Sequence, residues 1–468
     1  MIVPKLTPGR GILALLLLTG SVYVNSLGGE FIIGDDYNVY WNNPRILTET
    51  VSGAFRLDAY QALPQKHPYY RPLAFLAHSW LARITGRQPF GLHLASVLFH
   101  AAAGVLSFLL LAGLFEMRVA WLAAALFVVH PLHVEAVAWM AGFPEVLAGA
   151  LAMLSLYALV RSHRQVAGDR WQVAGGRHLP TETCNLQPAT CNLSRSGWLV
   201  LACVAAALAC LAKETALALP LLAVLFAGRR AWPLFAVAAG TLLARMLVLG
   251  AHSASLPPRP VTQHLRILAA AAIHYAKKLV WPWPVAPEYE LGQATWIWLL
   301  VLTGCALAGW LACRRADARL AVLMIPASLA PALAASIVFF SDLRFVGDRF
   351  AYLAVLGVAL LVALAARRAA GLVLALALLA VWSGMSALAA RDWGDSERLW
   401  AHALRVTPRS KTAVLALGEY YYTTFRFEDA ARVYRHGLQF RPGDRDYLDS
   451  LRNVGRLPAS ATDKGTSR

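Results

Sequence analysis

The chain has 468 residues, 58% of them hydrophobic and only 15% charged, whereas a soluble domain is roughly 45–50% apolar and about 25% charged. A soluble enzyme, a collagen and a disordered chain are excluded, and the reading is an all-α polytopic membrane protein. The 43 Lys and Arg against 26 Asp and Glu leave a net charge of +17, which in such a chain marks loop topology and does not imply nucleic acid.

A span needs about 20 apolar residues. Long apolar runs occupy 11–27, 91–115, 119–160, 198–228, 231–250, 295–313, 320–340, 351–366 and 369–390. The first follows Lys5 and Arg10 and lacks a convincing cleavage site before Glu30, so it is expected to be an uncleaved span. Two runs exceed one helix: His130-Pro131 and Pro144 break 119–160, and Lys213-Glu214 and Pro220 break 198–228. Each is expected to be a hairpin of two short spans, which makes about eleven in all. With a cytoplasmic amino terminus, every even span then ends in a basic loop, at Arg118, Arg161 with Arg164, Arg229-Arg230, Arg314-Arg315 with Arg319, and Arg367-Arg368. The odd count puts the carboxyl terminus outside.

Residues 1–390 are thus expected to form one membrane domain. Its first outer loop, 28–90, carries Asp35-Asp36 and an aromatic, amphipathic stretch from Tyr69 to Leu81 suited to the interface. The inner loop 161–196 repeats Gln165–Gly168 at Gln172–Gly175 and Thr183–Leu186 at Thr190–Leu193 without an apolar seam. It reads as a low-complexity insertion. A second outer segment, 251–294, holds the interfacial run Trp281-Pro282-Trp283-Pro284. In the tail, Leu417, Gly418, Tyr421, Ala430, Tyr434 and Gly437 fall at tetratricopeptide spacing between Pro408 and Pro442. The expected unit is a helical hairpin within 391–458 that leans on the membrane domain, followed by a disordered 459–468. The six cysteines show neither a disulfide framework nor a Cys-x-x-Cys metal motif.

Ionisable groups in a membrane domain are costly and point to chemistry. On this topology they gather on the outside, as Asp35, Asp36, Arg71, His130, His133, Glu135, Glu145, Lys213, Glu214, Glu288, Asp342, Arg344, Asp348 and Arg349. Adjacent carboxylates at Asp35-Asp36 suit a general base or a divalent cation, and equally a solvated loop or a helix cap. His130, His133, Glu135 and Glu145 suit a metal, a hydrogen-bond network or substrate contact. Lys213 either pairs with Glu214 or faces a phosphate. Arg344, Asp348 and Arg349 either pair among themselves or bind phosphate.

The ordered series Phe31-Ile32-Ile33-Gly34-Asp35-Asp36, Asn42-Asn43-Pro44, Tyr70-Arg71-Pro72-Leu73, Gly91-Leu92-His93 with His100, His130-Pro131-Leu132-His133-Val134-Glu135 to Trp139, Lys213-Glu214, Asp348-Arg349-Phe350-Ala351-Tyr352 and the tail resembles the transmembrane and tetratricopeptide-repeat O-mannosyltransferase family and its bacterial relatives. It departs from the family at Phe143-Pro144 and in its short repeat array. The resemblance implies a glycosyltransferase of the GT-C fold in a bacterial inner membrane. Such an enzyme moves mannose or another hexose from a polyprenyl-phosphate donor to a protein or glycan hydroxyl on the extracytoplasmic side. It further implies a catalytic carboxylate at Asp35 or Asp36. Combined with the charge distribution, the expectation is that Asp35 acts as base with Asp36 beside it. Lys213, Arg344, Arg349 and Arg71 would hold the donor phosphate, and His130, His133, Glu135, Glu145 and Glu214 would line the substrate cavity. No resident cofactor or metal is assigned, and a divalent cation stays compatible with the acid pair. The competing readings are a membrane scaffold recruiting a protein partner through its tail and a lipid-linked oligosaccharide ligase.

Overall fold

Helix starts follow from local chemistry. Thr7 and Pro8 open α1 (Pro8–Tyr23), and Pro72 and Pro89 occupy the first turns of α2 (Pro72–Thr85) and α3 (Pro89–Ala112), where the missing N–H costs nothing. The computed structural model describes residues 7–34, 36–56, 70–164, 193–249, 260–289, 303–304, 306, 309–310, 313–339 and 346–455. The duplicated part of the 161–196 loop, most of the expected span 295–313 and the terminal 459–468 lie outside them. So do Asp35, Asp342 and Arg344.

Among the described residues every long element is a helix. After α3 come α4 (Met117–Val128), α5 (Val134–Ala138), α6 (Phe143–Arg164), α7 (Arg195–Ala212), α8 (Leu219–Ala227), α9 (Trp232–Leu249) and α10 (Val261–Val280). The membrane part continues with α11 (Ala316–Phe339), α12 (Ala354–Ala365) and α13 (Ala369–Asp392). The tail holds α14 (Ser396–Val406), α15 (Lys411–Thr423), α16 (Phe427–Phe440) and α17 (Arg445–Gly455).

Seven described stretches are long and apolar enough to span, or eight when α4 and the segment Pro131–Ala138, bent by 50°, count as one. The difference from eleven has three sources. The stretch Glu214–Leu249 is a hairpin, because Arg245 near its end donates to Glu214 at its start at 2.6 Å, whereas a straight helix of its 36 residues would be about 54 Å long. Helix α12 is shorter than a full span, and 295–313 falls largely outside the described residues. The break expected at Lys213 is present, with that residue fully extended between α7 and a 3-10 turn.

Contacts between helix ends sort the bundle into two faces. At one, the Glu30 N–H donates to Gly394 O at 3.0 Å, the Ser396 N–H to Glu30 Oε1 at 2.9 Å, and Trp400 Nε1 to Ile33 O at 3.0 Å. These bonds tie the exit of α1 to the exit of α13 and the first tail helix. At the other face, Trp121 Nε1 in α4 donates to Gly11 O in α1 at 3.1 Å, and Arg367 after α12 pairs with Asp317 at 2.6 Å and Glu116 at 3.4 Å. A chain whose first and last spans exit on one face crosses an odd number of times. The basic groups Arg118, Arg161, Arg230, Arg319 and Arg367 belong to the second face.

Lipid is as apolar as leucine, so burying leucine between spans gains little, and close approach and hydrogen bonds hold such helices together. Accordingly α7 turns Ala202, Ala205, Ala206 and Ala209 inward and Val200 and Val204 outward. Ser155 Oγ in α6 donates across to Ala202 O at 2.8 Å, a contact of roughly 0.6–2 kcal/mol in membranes. Helix α2 realises the expected amphipathic stretch, burying Phe75, His78 and Ser79 while Trp80 and Ile84 stay exposed.

In the tail, Asp395 and Ser410 cap α14 and α15. Gly418 lets α15 and α16 close, since a Cβ there would sit 2.3 Å from a Tyr434 ring carbon.

Candidate active site

The site grows from two helix breaks. Prolines and polar residues interrupt α4–α6 and α7–α8 at the same level, on the face that carries the tail. Gly142 allows the first break to fold tightly, because a Cβ would stand 2.5 Å from Glu135 O. The freed Ala141 N–H donates to Asp36 Oδ1 at 2.8 Å, while the Ile32 N–H donates to Asp36 Oδ2 at 3.0 Å. Asp36 is buried and pins the loop that follows α1 onto the break.

Glu145, in the first turn of α6, meets Lys213 at the second break at 3.2 Å, both side chains 3% exposed. Thr215 Oγ1 donates to the same carboxylate at 2.6 Å. Lys213 lies over the Phe350 ring, and Arg349 lies between that ring and Trp139. Arg349 also pairs with Glu135, whose other oxygen accepts the Arg349 N–H at 2.8 Å. Arg71 donates its Nε to Glu214 at 2.8 Å, and Arg245 reaches the second oxygen of that carboxylate. Beside this group, Asp348 accepts from the Tyr289 hydroxyl and pairs with Lys278 at 3.3 Å, with His274 at 3.9 Å. Burial pushes the Asp348 carboxyl up, but Lys278, His274 and Tyr289 outweigh it and hold the group below the usual carboxylate range.

The structure therefore brings together Asp36, Arg71, Glu135, Glu145, Lys213, Glu214, Asp348 and Arg349 from five separated segments. Their accessibility differs. The side chains of Glu214, Arg71 and Arg245 are 25%, 17% and 14% exposed, and those of Lys213, Arg349, Glu135 and Glu145 are at most 10%. Glu135 and Glu145 thus form a floor, and the Arg71–Glu214–Arg245 group reaches the surface. His130 and His133 lie deeper, with no exposed ring. His130 accepts from the Leu132 N–H at 3.3 Å and packs edge-on to Trp382, while His133 Nε2 donates to Tyr352 O at 3.1 Å. Their place in the fold is a cluster of edge-on and tilted rings with His100 and Tyr352. Glu288 leaves the cluster altogether. Its carboxylate accepts from Ser410 Oγ at 2.6 Å and its carbonyl from Thr407, so it ties the segment after α10 to the tail.

The sequence reading missed Arg245, His274, Lys278 and Tyr289. Lys278 stands just before the interfacial Trp281 run, and nothing local points to a partner 70 residues on. Among the described residues no three His, Cys, Asp or Glu side chains are grouped so as to hold a metal ion.

No family model matches the chain. Curated relatives do. The human protein O-mannosyl-transferase TMTC1 is 34% identical over 159 residues, covering 32% of this chain and 18% of that protein. The Drosophila melanogaster Tmtc1 is 33% identical over 147 residues, 30% of this chain and 17% of the relative. The mouse protein O-mannosyl-transferase TMTC2 is 32% identical over 171 residues, 35% and 20% respectively. The matched stretch is a third of the chain and a fifth or less of each relative.

Proposed function

The chain is an integral membrane protein related to the protein O-mannosyl-transferases, and from that premise we propose that it is itself a membrane glycosyltransferase of the GT-C type. Its donor is a polyprenyl-phosphate sugar, mannose or another hexose, and its acceptor a hydroxyl of a protein or glycan. The face that gathers Arg118, Arg161, Arg230 and Arg367 is cytoplasmic by the positive-inside rule. Chemistry then takes place on the opposite side, where the first outer loop, the breaks and the tail meet. In a bacterial cell this would be the outer side of the inner membrane.

The observation that carries the reading is the fixing of the outer acid loop, through Asp36, onto a break lined by buried cations. With both its oxygens occupied by backbone N–H groups, Asp36 serves as the positioning residue. Its neighbour Asp35 is assigned as the base. That carboxylate takes the acceptor's proton, the acceptor oxygen attacks the anomeric carbon, and the bond to the lipid phosphate breaks with its electron pair on the phosphate. Arg71 with Arg245, the most accessible cations, face that phosphate. Lys213 and Arg349 add positive potential behind it, and Arg344, outside the described residues, is assigned to the same phosphate. A lipid-borne donor suits the site because its chain stays in the bilayer while only its head enters.

The test uses the full chain in lipid nanodiscs with radiolabelled polyprenyl-phosphate hexoses. Asp35→Asn should lower transfer by about 10²–10⁴-fold, the usual value of base catalysis, with donor binding retained, whereas Arg71→Ala should weaken donor binding. Normal turnover by Asp35→Asn, Asp36→Asn and the double variant would overturn the mechanism.

A further inference from the structure

The reaction just described makes no use of a cavity at the opposite, basic face. About 430 Å³ in volume, it opens between the ends of α3, α6 and α8 and the start of α11. Phe115, Phe226 and Leu320 form its apolar wall, and three basic side chains, His163, Arg230 and Arg319, line it. His163 is only 8% exposed, yet among the described residues neither of its ring nitrogens has a hydrogen-bond partner. Arg319 spends its Nε on Cys313 O at 3.0 Å. The carboxylates Asp317 and Glu116 at this face are engaged by Arg367, and among the described residues neither Arg230 nor Arg319 has a carboxylate partner. A buried imidazole seeking a partner, beside two guanidinium groups, is a receptor for an oxyanion.

We propose that this cavity binds the phosphate headgroup of an anionic glycerophospholipid. The occupant is a lipid because the apolar wall runs outward onto Val224 and Leu323, 43% and 38% exposed, which offer a surface to acyl chains and none to an ion. Basic pockets between spans on the cytoplasmic side are the usual receptors for such headgroups. Binding there joins the ends of four helices, so the lipid holds the bundle together at the end remote from the chemistry.

The experiment takes the full chain in neutral detergent and follows its melting temperature and its lipid affinity by native mass spectrometry. The probes are phosphatidylglycerol, phosphatidylcholine and inorganic phosphate. Phosphatidylglycerol should raise the melting temperature, and the other two should not. In Arg230→Gln/Arg319→Gln, both exposed and therefore harmless to folding, affinity should fall roughly thirty-fold, since each basic group at such a surface is worth about a factor of five. Arg368→Gln serves as the control and should keep full affinity. Photoactivatable phosphatidylglycerol should also label Val224–Arg230 or Ala316–Leu323 in the unmodified protein. Equal stabilisation by inorganic phosphate, equal affinity in the double variant, or labelling confined to other segments would each overturn the proposal.

Discussion

Removing one charge from the Glu145–Lys213 pair tests whether the two helix breaks are held together electrostatically. The charges are 3.2 Å apart and their side chains 3% exposed, which at an effective dielectric of 20 corresponds to a gross attraction of about 5 kcal/mol. Desolvation offsets much of that, so the net value of the pair is small. Breaking it is another matter, because it strands a buried charge, typically at about 3–5 kcal/mol. Lys213→Met should be the milder single change, since Glu145 retains the 2.6 Å bond from Thr215. Glu145→Gln should be the harsher one, leaving an ammonium near Arg349 and Arg71. The double variant should recover about 2–3 kcal/mol of the summed loss, the upper part of the range of about 0.5–3 kcal/mol seen for residues in contact. The assay is thermal unfolding of the full chain in detergent for the four proteins of the cycle, with donor binding measured alongside. Additivity within about 0.5 kcal/mol would refute the reasoning, because charges that do not sense each other cannot be holding the breaks in register.

Three further outcomes are expected. Gly418→Leu drives a side chain into Tyr434 and should cost about 1–3 kcal/mol, seen as faster hydrogen exchange in α15 and α16. Donor-lipid hydrolysis should survive, and its loss in parallel would contradict a tail without chemical duties. Trp400→Phe leaves the Ile33 carbonyl without its 3.0 Å donor, at about 1–3 kcal/mol, and should speed exchange in α14 and at 30–34; unchanged exchange would show the staple to be dispensable. Asp348, held below the usual carboxylate range, contributes stability that is complete above its unfolded pKa of about 4 and is lost as pH falls through the lower folded value. Asp348→Asn should flatten the acid limb of the stability profile below about pH 4, and an identical limb would refute that contribution.

The sequence by itself determined the membrane class, the starts of the helices and their breaks, because these depend on short-range quantities. Apolar run length places α1, α3 and α13. Proline and paired charges mark the breaks at His130 and Lys213, and the Arg groups mark a face that helix-end contacts reproduce through Arg367, Asp317 and Glu116. That the polar residues cluster was also legible, since each is costly in lipid and must find company. Which company it finds was decided by tertiary structure alone. Glu135 meets Arg349 across 214 residues, Lys278 meets Asp348 across 70, and Glu288 turns away to Ser410 across 122. A composition rule registers the cost of burying a charge, but the compensating partner is set by how bent helices pack, through contacts a few ångströms long between segments far apart in the chain. The basic-face cavity belongs to the same category, for no local pattern says that the ends of α3, α6 and α8 and the start of α11 will leave an imidazole buried without a hydrogen-bond partner among the described residues.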